Sequence, residues 1–130
     1  MTSILIVDDS SVTRKVIKKH LSTGPYANAH TLEAPDGEKA LEVFKSETLD
    51  VVLSDWNMPK MNGLEFVRKL REYEATSARE KPVQIIMITT EGTIDKVTEA
   101  MESGVNEYIV KPFTAETLTK TLKKVVPLRV

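Results

Sequence analysis

The stretch ILIVDDS, residues 4–10, sets four branched apolar residues against two adjacent aspartates and a serine. Continuous rather than alternating hydrophobicity is what a strand covered on both faces requires. Asp8 and Asp9 end that strand. Neighbouring carboxylates partly withdrawn from water oppose folding unless something offsets them. A serine follows, Ser10 or Ser11, as the N-cap of a helix on which Val12, Val16, Ile17 and Leu21 recur at helical spacing.

The same pattern repeats along the chain. Apolar runs stand at VVL (51–53), VQIIMI (83–88) and YIV (108–110), and a more polar run, AHTLEA (29–34), reads as an edge strand. Helical spacing lies between them. Asp36 caps a helix with Ala40, Leu41 and Phe44 on one face. Leu64, Val67 and Leu70 mark a third helix. Ile94, Val97, Ala100 and Met101 mark a fourth, stopped by Gly104. Leu118, Leu122, Val125 and Val126 mark a fifth, capped by Thr114. Strands alternating with helices predict an α/β fold with a parallel sheet and right-handed crossovers. The polar stretch 71–82 is expected to finish the third helix and form the longest connection.

Composition narrows the function. The 130 residues suit one compact domain, and 41% hydrophobic content supplies a core. With 18 basic and 19 acidic side chains, the basic excess of a nucleic-acid footprint is missing. Without cysteine there are no disulfides and no thiolate metal ligands. No apolar run approaches the ~20 residues that span a bilayer, and no signal peptide opens the chain. A cytoplasmic protein that binds neither nucleic acid nor membrane is expected.

In an open parallel sheet the carboxyl ends of the strands share one edge, where ligands bind. Asp8 and Asp9, Asp55 (in VVLSDWNMP), Thr89 (in IMITTEG) and Lys111 (in YIVKPF) all fall at that edge. Carboxylates without His or Cys make an all-oxygen site that suits Mg2+ rather than Zn2+. A lysine and a hydroxyl beside them match the needs of a phosphoryl group, and a carboxylate can itself be the nucleophile. The glycines are scattered singly at 24, 37, 63, 92 and 104, so no phosphate-cradling loop exists. His20 and His30 fall outside the cluster. Met58 and Met61 are expected to pack around the loop after the third strand. Trp56 is expected near the site, where its fluorescence would report ligand binding.

Taken together, ILIVDDS, DVVLSDWNMPKMNGLEF, IMITTEG and EYIVKPFTAETL resemble the receiver domains of two-component response regulators. The likeness spans nearly the whole chain, and DWNMP and the TxE of TTEG are similar to CheY-like single-domain regulators of the chemotaxis type. The resemblance implies a doubly wound (βα)5 flavodoxin-like domain, residues 1–130, with strand order 2-1-3-4-5 and no separate output domain.

It also implies roles. Asp55 is the phosphoacceptor. Asp9, Asp55 and the backbone carbonyl of Asn57 hold Mg2+, with Asp8 acting through water. Thr89 hydrogen-bonds the phosphoryl group, and Lys111 pairs with Asp55 and then with phosphoryl oxygens. The Lys111–Pro112 bond is expected to be cis. Thr89 and Tyr108 form the switch, with Tyr108 turned outward before phosphorylation. Asn57 and Glu91, with Thr90 where many relatives carry Ala or Gly, tune loss of the phosphoryl group. The implied partners are a sensor histidine kinase as phosphodonor, a downstream protein such as a flagellar motor switch protein, and a phosphatase. The chain is then a signalling switch and not an enzyme. Its output surface is the fourth helix, fifth strand and fifth helix. A phosphorelay intermediate or phosphate sink stays open, as does a Mg2+-dependent small-molecule phosphatase. The last usually needs a second aspartate two residues after the nucleophile, where Asn57 stands.

Overall fold

A computed structural model describes residues 2–79 and 81–127. The elements alternate as β1 (Ser3–Val7), α1 (Ser11–Ser22), β2 (His30–Ala34), α2 (Gly37–Ser46), β3 (Val51–Ser54), α3 (Gly63–Thr76), β4 (Gln84–Thr89), α4 (Ile94–Ser103), β5 (Glu107–Val110) and α5 (Ala115–Val125). The strands form one parallel sheet in the order β2-β1-β3-β4-β5, as expected.

The unbroken apolar runs have a direct explanation. Successive strand residues point to opposite faces, and each face is roofed by helices. Leu5, Val7, Val52, Ile85 and Met87 pack with Phe44, Phe66, Val67, Leu70 and Ala100 of α2, α3 and α4. Their alternates Ile4, Ile6, Val51, Leu53, Ile86 and Ile88 pack with Ile17, Leu21, Leu118 and Leu122 of α1 and α5. Each fully buried Leu, Ile or Phe contributes about 1.5–3 kcal/mol, so both layers carry the fold.

Side chains cap every helix start. Ser10, Asp36, Asn62, Thr93 and Thr114 accept the backbone N–H of Thr13, Lys39, Glu65, Lys96 and Thr117. Ser10, not Ser11, is therefore the first cap. Gly104 ends α4 at φ 115°, a left-handed conformation natural to glycine.

Two helices turn differently from expectation. On α1, Ile17 and Leu21 are buried while Val12 and Val16 are 68% and 43% exposed. At 3.6 residues per turn these pairs lie about 140° apart, so one apolar set spans two faces. On α4, Ala100 alone is buried, while Ile94 and Met101 are 83% and 43% exposed. The small side chain faces the core, and the larger ones sit about 100–120° round the helix. The stretch 71–82 also divides otherwise. Residues 71–76 finish α3, and the connection 77–83, of which residue 80 lies outside the described residues, is shorter than the loop 55–62.

Candidate functional site

The sheet delivers its site residues by extending its ladder past the strand ends. Asp8 N–H donates to Ala34 O (3.1 Å), Asp55 N–H to Val7 O (2.9 Å) and Lys111 N–H to Thr89 O (2.8 Å). The carboxylates of Asp8, Asp9 and Asp55 consequently come within 4.8 Å of one another. Asp8 and Asp55 are buried, whereas Asp9 is exposed.

Three carboxylates this close need positive charge and donors. Lys111 Nζ lies 2.9 Å from Asp8 Oδ2 and 3.4 Å from Asp55 Oδ2. The lysine is thus shared, with the shorter contact to Asp8 rather than to Asp55. Asp8 Oδ1 accepts the Ser10 N–H at 2.9 Å, and Arg14 donates to the Asp8 carbonyl at 2.5 Å. Asp55 Oδ1 accepts the Trp56 N–H at 2.7 Å. Both oxygens of Asp8 are therefore engaged, while exposed Asp9 stands at the mouth.

The loop 55–62 closes tightly beneath Asp55. Gly63 N–H donates to Trp56 O at 2.7 Å, and a Cβ at Gly63 would lie 2.1 Å from the Asp55 carbonyl oxygen. Only glycine permits that approach. Lys60 takes a left-handed φ of 65° in the same loop. Met58 and Met61 pack against the core layer beneath it, as expected.

The remaining expected residues cluster on the β4 side. Thr89 is fully buried, and its Oγ1 accepts the Glu91 N–H at 3.3 Å. Asn57 Nδ2 donates to Glu91 Oε1 at 3.1 Å, bridging the loops after β3 and β4. Thr90 is exposed beside them. Tyr108 is half-buried rather than turned to solvent. Its ring packs on the core layer, and its hydroxyl donates to the Glu91 carbonyl. Burial, then the negative charges of Glu91 and Asp55, push its phenol up. Lys111–Pro112 is cis.

The cluster thus gathers Asp8, Asp9, Asp55, Asn57, Thr89, Thr90, Glu91, Tyr108 and Lys111 at one sheet edge. Arg14 on the Asp8 carbonyl, the Asn57–Glu91 bridge and Lys96 over Trp56 carry no sequence signal, since each joins residues without a shared motif. The role of Gly63 did have a signal, the Asn-Gly pair that opens α3. His20 lies away from the site, edge-on to Phe113 with ring centroids 5.7 Å apart.

An acidic, all-oxygen donor set of this kind can coordinate a divalent metal ion. Joined to a buried hydroxyl and a lysine at the carboxyl edge of a 2-1-3-4-5 sheet, it has the layout of a receiver domain. Residues 4–123 match the family described as response regulator receiver domain, and the chain belongs to that family. The class is one of phosphoacceptors in two-component signalling rather than of classical enzymes.

Among its relatives are proteins of the CheY type. The chain is 46% identical over 123 residues to chemotaxis protein CheY1 of Helicobacter pylori, covering 94% of each. It is 42% identical over 122 residues to chemotaxis protein CheY of Pseudomonas aeruginosa, again covering 94% of each. The solved structure of Vibrio cholerae chemotaxis protein CheY4 superposes with a TM-score of 0.84 at 36% identity, over 97% of this chain and 99% of that one. Among the described residues, no helix is long and apolar enough to cross a membrane.

Proposed function

We propose that Asp55 accepts a phosphoryl group from the phosphohistidine of a sensor histidine kinase, and that the phosphorylated chain signals by binding another protein. In the transfer a phosphorus–nitrogen bond breaks, a phosphorus–oxygen bond forms at an Asp55 carboxylate oxygen, and the imidazole leaves. The observation that carries this reading is the convergence of Asp8, Asp9 and Asp55 within 4.8 Å, with Lys111 between the two buried members.

The donor set fits Mg2+, which Asp9, Asp55 and the Asn57 carbonyl would hold, with Asp8 contributing through water. When bound, the ion supplies charge neutralisation for the transferring group. The chain's own residues do the rest. The Trp56 N–H orients the nucleophile by fixing its other oxygen. Lys111 compensates charge and then contacts phosphoryl oxygens. The Thr89 O–H donates a hydrogen bond to a phosphoryl oxygen, and Tyr108 follows that movement as the switch. Asn57, Thr90 and Glu91 line the mouth and set how fast water removes the group.

Output runs through α4, β5 and α5, where Ile94, Met101 and Val110 are exposed. The names of the relatives favour chemotaxis, with a flagellar motor switch protein as target. The cytoplasm is the compartment such a switch requires.

Incubation with Mg2+ and acetyl phosphate, followed by intact mass measurement, tests the reading. One base-labile phosphoryl adduct is expected, absent in Asp55→Asn. A wild-type chain that gains none, with Mg2+ bound, would contradict it.

A further inference from the structure

Lys96 is a half-buried lysine in the first turn of α4. Its ammonium lies 4.9 Å from the centroid of the Trp56 ring, and among the described residues no carboxylate pairs with it. A lysine gives up hydration and rotamer freedom to lie this way, so the contact must return something. Trp56 is no ordinary platform. It is 6% exposed, its backbone N–H holds Asp55 Oδ1 at 2.7 Å, and its backbone carbonyl accepts the Gly63 N–H at 2.7 Å. The aromatic ring and the nucleophile's hydrogen-bond donor belong to one residue.

At the other end of this contact, α4 is weakly seated. Ala100 is its one buried residue. Arg71 clamps the helix's C-terminal end, donating to the Gly104 carbonyl at 2.8 and 3.1 Å. Its first turn has the Thr93 cap, half-buried Val97 and the Lys96–Trp56 stack. With Ile94 open to solvent, the stack joins that turn to the loop bearing Asp55.

We infer that Lys96 is a positioning residue for phosphoryl transfer: by stacking on Trp56 it fixes the Asp55 carboxylate and ties the first turn of α4 to the phosphorylation site. The inference rests on Asp55 being the phosphoacceptor. It makes coupling between the site and α4 direct, through one side chain, alongside the path through Thr89 and Tyr108. By linkage, a protein bound to α4 that holds Lys96 on Trp56 also favours the reactive arrangement of Asp55.

The test uses the full chain and two variants. Lys96→Met keeps the stem and loses the charge, while Lys96→Arg keeps a cation over the ring. Three quantities are measured: Trp56 emission with Mg2+ alone, hydrogen exchange of the α4 first turn, and phosphorylation rate against acetyl phosphate concentration. Lys96→Met is expected to change the emission and speed exchange at residues 94–97. It should lower the maximal rate about three- to tenfold, the scale of a partly desolvated cation–π contact, at unchanged half-saturation. Lys96→Arg should restore all three. Emission and exchange identical to wild type in Lys96→Met would overturn the inference. So would a defect confined to half-saturation, which would make Lys96 a donor-binding cation. A wild type that takes no phosphoryl group would refute the proposed function instead, and the emission and exchange arms would still decide the coupling.

Discussion

Tyr108 shows how much one side chain carries here. Its ring joins the layer under α2, α3 and α4, and its hydroxyl reaches the Glu91 backbone, whose side chain holds Asn57. Burial and the nearby carboxylates raise its pKa in the folded state. A phenol with a raised folded pKa contributes stability that is complete below its unfolded value of about 10 and is lost as pH rises through the folded one. Stability should therefore fall with pH above about 10. In Tyr108→Phe that alkaline slope should be shallower, read by thermal melts across the range. Tyr26, raised by burial, leaves part of the slope in place. A slope unchanged by Tyr108→Phe would contradict the assignment. Asp8 and Asp9 likewise part company at this scale. Asp8 is buried and engaged by Ser10 and Lys111, while Asp9 faces out. The letters DD present two equal acids, and only the rotation of the chain after β1 separates them.

At the scale of elements, α4 is the exception among well-buried neighbours. Its amphipathic pattern is genuine, yet Ile94 and Met101 face water, Val97 is half-buried and the alanine faces the core. These exposed side chains lie on the face through which output is proposed to run. Ile94→Ser and Met101→Ser should change stability by no more than about 0.5 kcal/mol, as exposed substitutions do. Both should weaken binding of the phosphorylated chain to its target while leaving Asp55 phosphorylation intact. A large loss of melting temperature would show that these side chains are core.

The same helix marks the boundary of what sequence makes legible. Strand runs, the helix caps at Asp36 and Thr114, a serine cap for α1 at Ser10 or Ser11, and the stop at Gly104 are local and readable. The site was readable too, because the carboxyl ends of parallel strands share an edge. Which helix face meets the sheet was not, for α1 or α4. Spacing gives a periodicity, but its phase is set by neighbours far away in the chain. The Asn57–Glu91, Lys111–Asp8 and Lys96–Trp56 contacts are long-range for the same reason.

Across the whole molecule, two buried layers enclose the sheet, and the cost of assembling carboxylates falls at one edge. Any ion that binds those carboxylates in the folded chain alone must stabilise it, by about 2.7 kcal/mol at a concentration of 100 times its Kd. Mg2+ should therefore raise the melting temperature. Asp9→Asn should melt higher than wild type without Mg2+, through relief of repulsion, and should no longer respond to it. Undiminished Mg2+ dependence in that variant would remove Asp9 from the metal site.

Function as a phosphoacceptor requires a single new bond, between phosphorus and an Asp55 carboxylate oxygen. Borohydride reduction of the chain after treatment with Mg2+ and acetyl phosphate converts an aspartyl phosphate to homoserine, and peptide mapping locates it. Homoserine at position 55, and none anywhere in Asp55→Asn, is the predicted result. Homoserine at Asp8 or Asp9, or a phosphoryl group carried on another residue type, would contradict it.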